Sequence, residues 1–311
     1  MPVISVSGLS KHYPNLKAVD DLSFSVPEGV VYGFLGQNGA GKSTTIRMLL
    51  TLVQPSAGAI ELFGKELRTH RREVLAQIGA VIERPDLYKY LSAYDNVRIM
   101  AELSGMLPSK AAIMRQLEVV GLAGREHDKA KTFSQGMKQR LGLACALIHN
   151  PRLLILDEPT NGLDPQGIAD VRELIRRLSR EEGKTILVSS HLLSEVEQVA
   201  DHLLIIDRGR KVAEGRVAEL LNPSDMLVEL STTNDPATRR LLSETSWLRV
   251  LQPDPERLLL RMARNEVPVL TRDLVERGVA ILAVQPRHSL EDYFLSITRK
   301  EDVDARPAGT V

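Results

Sequence analysis

Gly36-Gln37-Asn38-Gly39-Ala40-Gly41-Lys42-Ser43 stands between an apolar run at 30–35 and a helical stretch at 43–52. Strand, glycine-rich turn, Lys-Ser and helix in that order make a phosphate-binding loop. Phosphate oxygens carry several negative charges, so the turn needs Gly36, Gly39 and Gly41 to aim backbone N–H groups inward, over the positive end of the following helix. Asn38, Ala40 and Thr44 are expected to complete the cradle for ATP. Lys42 is expected to reach the β- and γ-phosphates, and Ser43 to offer its hydroxyl to Mg²⁺. The surrounding pattern predicts an α/β fold with its ligand at the C-terminal edge of the sheet.

The next decisive stretch outward is Leu153-Leu154-Ile155-Leu156-Asp157-Glu158-Pro159. A strand this apolar is buried, so charges arrive only where it leaves the sheet. Asp157 is expected in the Mg²⁺ shell. Glu158 is expected to polarise the attacking water, a general-base role worth typically about 10²–10⁴ in rate. Two solvated acids at an exposed strand end are the plainer alternative. A further strand at 185–189 runs into Ser190 and His191 at the same edge, where the imidazole is placed to contact the γ-phosphate and hold Glu158 and the water in line.

Strand signals at 3–6 and 22–26 precede the phosphate loop, those at 59–63 and 78–82 lie between it and the carboxylate strand, and others at 202–206 and 211–213 follow, with helices expected at 135–149, 165–182 and 192–200. Between 94 and 122, Val97, Met100, Ala101, Leu103, Ile113, Leu117 and Val120 recur at helical spacing. A helical insert, about 90–150, therefore interrupts the sheet of a first domain spanning 1–222. Beyond Pro223 the chain starts again, with strands expected at 226–230, 248–251, 258–262 and 280–284 and helices at 237–242 and 269–276. That order predicts a small ferredoxin-like α+β unit over 223–300, closed by a helix at 290–299, with a disordered tail at 301–311.

Bulk composition removes several function classes. Of 311 residues, 40 are Lys or Arg and 40 are Asp or Glu, so the field expected of a nucleic-acid binder is missing. A spanning helix needs about 20 consecutive apolar residues, and no stretch approaches that, so membrane association must come through a partner. The start lacks the order of a signal peptide, and export of the chain is not expected. Cys145 is the single cysteine. Within Leu143-Ala144-Cys145-Ala146-Leu147 it reads as a small core residue of a protein kept in a reducing cytosol.

These motifs, with Phe133-Ser134-Gln135-Gly136-Met137-Lys138-Gln139-Arg140-Leu141 just before the carboxylate strand, resemble the ABC ATPase family over residues 3 to about 215. The resemblance implies a P-loop core that binds ATP and Mg²⁺ and hydrolyses ATP as a dimer, either a homodimer or a pair with a second ATPase. It implies that Ser134 and the N–H of Gly136 cap the nucleotide held by the opposite subunit. It also places Asp164, in Asn161-Gly162-Leu163-Asp164, in the loop that crosses the dimer interface, and Tyr13 against adenine. Two departures stand out. Glu83 occupies the lid-loop position where most members carry glutamine, with its carboxylate expected toward Mg²⁺ or the lytic water, and the signature has Gln135 and Met137 where glycine and glutamine are commonest.

Both departures, with Asp86-Leu87-Tyr88 and the C-terminal His288-Ser289-Leu290-Glu291-Asp292-Tyr293-Phe294-Leu295, resemble the branch of bacitracin-type and lantibiotic-immunity exporters, next to daunorubicin-type drug exporters. That implies the ATPase subunit of an exporter of a peptide antibiotic or other drug, sitting at the cytoplasmic face of the membrane on a separate permease. A soluble ABC ATPase acting on ribosomes or DNA is the alternative. It is disfavoured because Lys42 and Asp157 lie 115 positions apart with neither a second phosphate loop nor heptads between them. A nucleotide-dependent regulator without hydrolysis is disfavoured by the presence of both Glu158 and His191.

Overall fold

In the computed structural model, which describes residues 2–220, 226–255 and 257–287, the chain divides into two compact units, Met1–Val217 and Ala218–Val311. The first unit holds two sheets. Strands β1 (Ile4–Tyr13), β2 (Leu16–Val26), β3 (Val31–Leu35), β4 (Ala57–Leu62), β5 (Lys65–Glu66), β6 (Ile78–Ile82), β7 (Leu153–Asp157), β8 (Thr185–Ser190), β9 (His202–Asp207) and β10 (Arg210–Arg216) follow in chain order. An antiparallel sheet has the order β2-β1-β4-β5, and a six-stranded one has β10-β9-β3-β8-β7-β6. In the second sheet β9, β3, β8, β7 and β6 run parallel and β10 is antiparallel.

The central strands Val-Tyr-Gly-Phe-Leu, Leu-Leu-Ile-Leu-Asp and Thr-Ile-Leu-Val-Ser-Ser are buried at every residue. Both faces of these strands are covered, which is why they read as unbroken apolar runs rather than alternating ones. The two sheets meet through aromatic rings, with Phe24 packing on Tyr32 and on Phe34 at centroid distances of 6.2 and 5.8 Å. Parallel register then aligns the strand ends. Ile82 lies beside Asp157, Asp157 beside Ser189, and Leu35 beside Ser190. Gly36, Glu83, Glu158 and His191 are consequently each the residue that leaves its strand at one common edge.

Between β6 and β7 come helices Ala93–Leu103, Lys110–Val119 and Gln135–Leu147, with a 3₁₀ turn at Ala130–Thr132 and no strand. Ser92, Ser109 and Ser134 cap the three helices, each accepting from the N–H three residues on, so each hydroxyl satisfies one of the donors that a helix start leaves unpaired. The long hairpin β1–β2 exceeds the two short strands expected at 3–6 and 22–26. Its outer residues are exposed, apolar Tyr13 and Leu16 among them, which hides the alternation. The helix expected over 192–200 shortens to Leu193–Glu197.

The second unit contains strands β11 (Met226–Thr232), β12 (Leu258–Met262) and β13 (Ile281–Arg287) in the order β12-β11-β13, all antiparallel. Helices Asp235–Ser243 and Val267–Glu276 contribute Leu242, Leu270 and Leu274 to a core with Val228, Leu230, Trp247 and Leu260. The strand expected at 248–251 is instead a 3₁₀ turn, Ser246–Arg249, followed by an isolated bridge of Leu251 to Leu260. Burying the Trp247 ring and bonding its indole N–H to Asp273 Oδ2 at 2.8 Å turns the chain inward there. The strand order and that bridge match a split βαβ unit whose second edge strand has shrunk to one pair. The expected helix at 290–299 and tail at 301–311 lie outside the described residues.

Candidate active site

The phosphate loop has the backbone its sequence demands. Gly41 has φ +107°, and a Cβ there would lie 2.5 Å from Ala18 O. A Cβ on Gly36 would lie 2.6 Å from Ile206 O. No other residue fits at either place. Helix Lys42–Leu49 begins at Gly41 with no side-chain cap and no acid in its first turn. Its leading N–H groups, at Lys42, Ser43 and Thr44, therefore keep their positive field for an anion.

Lys42 is 5% exposed. Its Nζ donates to Gly36 O at 2.7 Å and Gln37 O at 3.2 Å, and lies 3.3 Å from Glu158 Oε1. The other oxygen of the same carboxylate, Glu158 Oε2, is 2.5 Å from His191 Nδ1. Glu158 has φ +51°, a left-handed conformation unusual outside glycine. That sharp exit from β7 brings the side chain over the strand ends to Lys42 and His191, where it is 15% exposed.

Asp157 is fully buried. Ser189 Oγ donates to Asp157 Oδ1 at 2.5 Å and accepts from the Glu158 N–H at 3.0 Å. Asp157 Oδ2 has no partner among the described residues. A buried carboxylate oxygen without a donor is costly, and its position at the phosphate-loop edge fits a bound cation. The chemistry of the donor set, a carboxylate and the Ser43 hydroxyl, suits a hard, oxygen-seeking ion such as Mg²⁺.

The remaining residues singled out in the sequence make their described contacts elsewhere. Ser134 Oγ accepts from Met137 N at 3.2 Å, and Gly136 faces open space. Asp164 caps helix Pro165–Arg180, accepting from Gly167 N at 2.9 Å. Tyr13 is 44% exposed, with Lys11 Nζ 5.1 Å from its ring centroid. Glu83, also at positive φ (54°), pairs with Arg47 of the phosphate-loop helix, Oε1 to Nη2 2.5 Å. Sequence reasoning missed two participants. Ser189 carried a signal, being a polar residue at the end of an apolar strand. Arg47 carried none, because its pairing with Glu83 joins residues 36 positions apart.

A family model described as ABC transporter matches residues 19–161. The bacitracin transport ATP-binding protein BcrA of Bacillus licheniformis is 40% identical over 95% of this chain and 97% of its own length. The lantibiotic transport ATP-binding protein SrtF of Streptococcus pyogenes is 44% identical over 68% of this chain and 90% of its own length. Among solved structures, a dimeric ATP-binding cassette in a post-hydrolysis state with ADP and Pi superposes with a TM-score of 0.63 over 69% of this chain and 98% of that one, at 22% identity, and so shares the fold. Phosphate loop, paired strand-end carboxylates and near full-length relatives agree: the chain belongs to the ABC transporter family, as an ATP-binding subunit that hydrolyses ATP to drive transport.

Proposed function

We propose that this chain powers an exporter of peptide antibiotics, closing on ATP as a homodimer on a separate permease at the cytoplasmic face of the membrane. The observation that carries the hydrolytic part is Glu158, held between Lys42 at 3.3 Å and His191 at 2.5 Å. Glu158 takes the proton from the attacking water. Lys42 leaves it for the β- and γ-phosphates, and His191 keeps the carboxylate aimed. Ser43 and Asp157 hold Mg²⁺, which when bound neutralises charge on the phosphates. Glu83 joins them only if its pair with Arg47 opens.

The peptide-antibiotic cargo rests on the relatives named for bacitracin and lantibiotic transport. Among the described residues no helix is long and apolar enough to cross a membrane, so the pathway belongs to the permease. A groove lined by Pro85, Tyr88, Asn96, Met100 and Cys145 is where the permease docks. Gly142 lets the lid loop close on its floor, since a Cβ there would lie 2.4 Å from Pro85 Cβ. Tyr90 stands 76% exposed on the same loop.

Ser134 and Gly136 meet ATP across the dimer, as does the loop that ends in Asp164, and Tyr13 stacks on adenine. The unit from about Pro223 onward carries none of these groups and serves self-association or regulation. Mixing Lys42→Ala with Ser134→Arg chains tests the shared site, because only the mixed dimer contains one intact site. Each variant alone is expected to be inactive and the mixture to recover part of the turnover. No recovery, or full recovery, overturns the trans arrangement. Truncation before Pro223 is expected to preserve ATP binding while altering self-association.

A further inference from the structure

The segments that carry Glu158 and His191 are joined by three successive side-chain rungs as they leave the sheet. Ser189 ties Asp157 and the Glu158 N–H, and His191 ties the Glu158 carboxylate. Outermost, Thr160 Oγ1 donates to Glu195 Oε2 at 2.5 Å. Thr160 is 8% exposed, so its hydroxyl depends on that acceptor.

Glu195 lies in the first turn of helix Leu193–Glu197, five residues long and without a side-chain cap. So short a helix does not hold its own position. Its place is set from outside. Val196 fills a notch over Gly33, where a Cβ would lie 2.2 Å from Val196 Cγ1. Beyond its C-terminal end, Arg176 Nη2 donates to Gln198 O at 2.7 Å and Arg172 bonds the Gln198 side chain. These contacts fix the rear of the helix. Its front, four residues after His191, is fixed to the Glu158 segment through Glu195 and Thr160.

We propose that Glu195 is a positioning residue for ATP hydrolysis: through Thr160 it holds the His191 segment so that the imidazole stays on Glu158. The inference rests on the hydrolytic reading of Glu158 and His191 above. It assigns a task to a carboxylate whose described hydrogen bond is to Thr160. The requirement is for an acceptor at the Glu195 position and a hydroxyl at the Thr160 position, not for charge.

Steady-state ATP turnover with Mg²⁺ on the full chain tests this. Displacing a catalytic group by about 1 Å costs on the order of 10²-fold in rate, so Glu195→Ala and Thr160→Val are each expected to lower kcat about ten- to a hundredfold. KM for ATP should stay unchanged, because the phosphate loop is untouched. Glu195→Gln and Thr160→Ser keep the bond and should restore most of the rate. The double variant Glu195→Ala/Thr160→Val should be no slower than either single one, since both remove the same link. Should Glu195→Ala fail to fold, Thr160→Val against Thr160→Ser carries the same comparison.

Unchanged kcat in the single variants overturns the proposal, as do additive losses or a Glu195→Gln as slow as Glu195→Ala. Wild-type protein without turnover would instead refute the parent reading of the site.

Discussion

Lys42 and Glu158 face each other across the strand ends with Nζ 3.3 Å from Oε1, in a site where Lys42 is 5% exposed and Glu158 15%. Under the proposed roles, with Lys42 on phosphate and Glu158 on the lytic water, nucleotide arrival would draw Lys42 away and free the carboxylate. Glu158→Gln keeps the shape and loses the base. Turnover is expected to fall by about 10²–10⁴, with ATP binding intact and an ATP-stabilised dimer visible on a sizing column. Normal turnover in this variant would remove Glu158 from that role.

Arg47 already neutralises the acid at position 83. An exposed pair of this kind is worth about 0–1 kcal/mol, so neither Glu83→Gln nor Arg47→Ala should change thermal stability much. Their effects on metal dependence should differ. Arg47→Ala leaves an unpaired carboxylate in the lid loop and is expected to make ATP binding more dependent on Mg²⁺, whereas Glu83→Gln should leave it near wild type. Titrating ATP with and without Mg²⁺ decides. The same dependence in all three proteins would mean that Glu83 has no part in the metal site.

Burial pushes the Cys145 thiol up to about 12. At pH 8 the thiolate, the reactive form, is then present in about one molecule in ten thousand. Iodoacetamide is expected to leave the folded protein unlabelled and to modify it quantitatively in denaturant, read by intact mass. Rapid labelling of the folded chain would contradict a core role.

In the C-terminal unit the Trp247 N–H, followed by Arg277, holds the Asp273 carboxyl below its ordinary range. A depressed folded-state pKa means stabilisation that is complete above the unfolded value, about 3.9, and lost as pH falls through the folded one. Trp247 is the only tryptophan of the chain, so its fluorescence reports on this unit alone. Asp273→Asn is expected to lower stability at neutral pH and to flatten the fluorescence change between pH 5 and 2. An identical acid transition in both proteins would show that the bond contributes nothing.

Where the signal is local, the chain can be read directly. The phosphate loop needs glycines and a lysine at fixed spacing within one short stretch, and the buried parallel strands need unbroken apolar runs ending in a polar or charged residue. Edges of structure were harder. The 3₁₀ turn at Ser246–Arg249 has the composition of a strand, and only the burial of Trp247 decides against one. The hairpin β1–β2 runs longer than its apolar residues because backbone pairing continues where side chains are solvated.

By itself, then, the sequence determined the α/β alternation, the phosphate cradle, the two strand-end carboxylates and the histidine, since each depends on neighbours a few residues away. Tertiary structure alone decided which of them touch. Parallel register set Ser189 beside Asp157, put Glu158 between Lys42 and His191, paired Glu83 with Arg47, and brought Thr160 to Glu195. Those contacts span from 32 to 116 positions of chain, and no local periodicity encodes them. They follow from how twisted strands stack side by side and where each one ends.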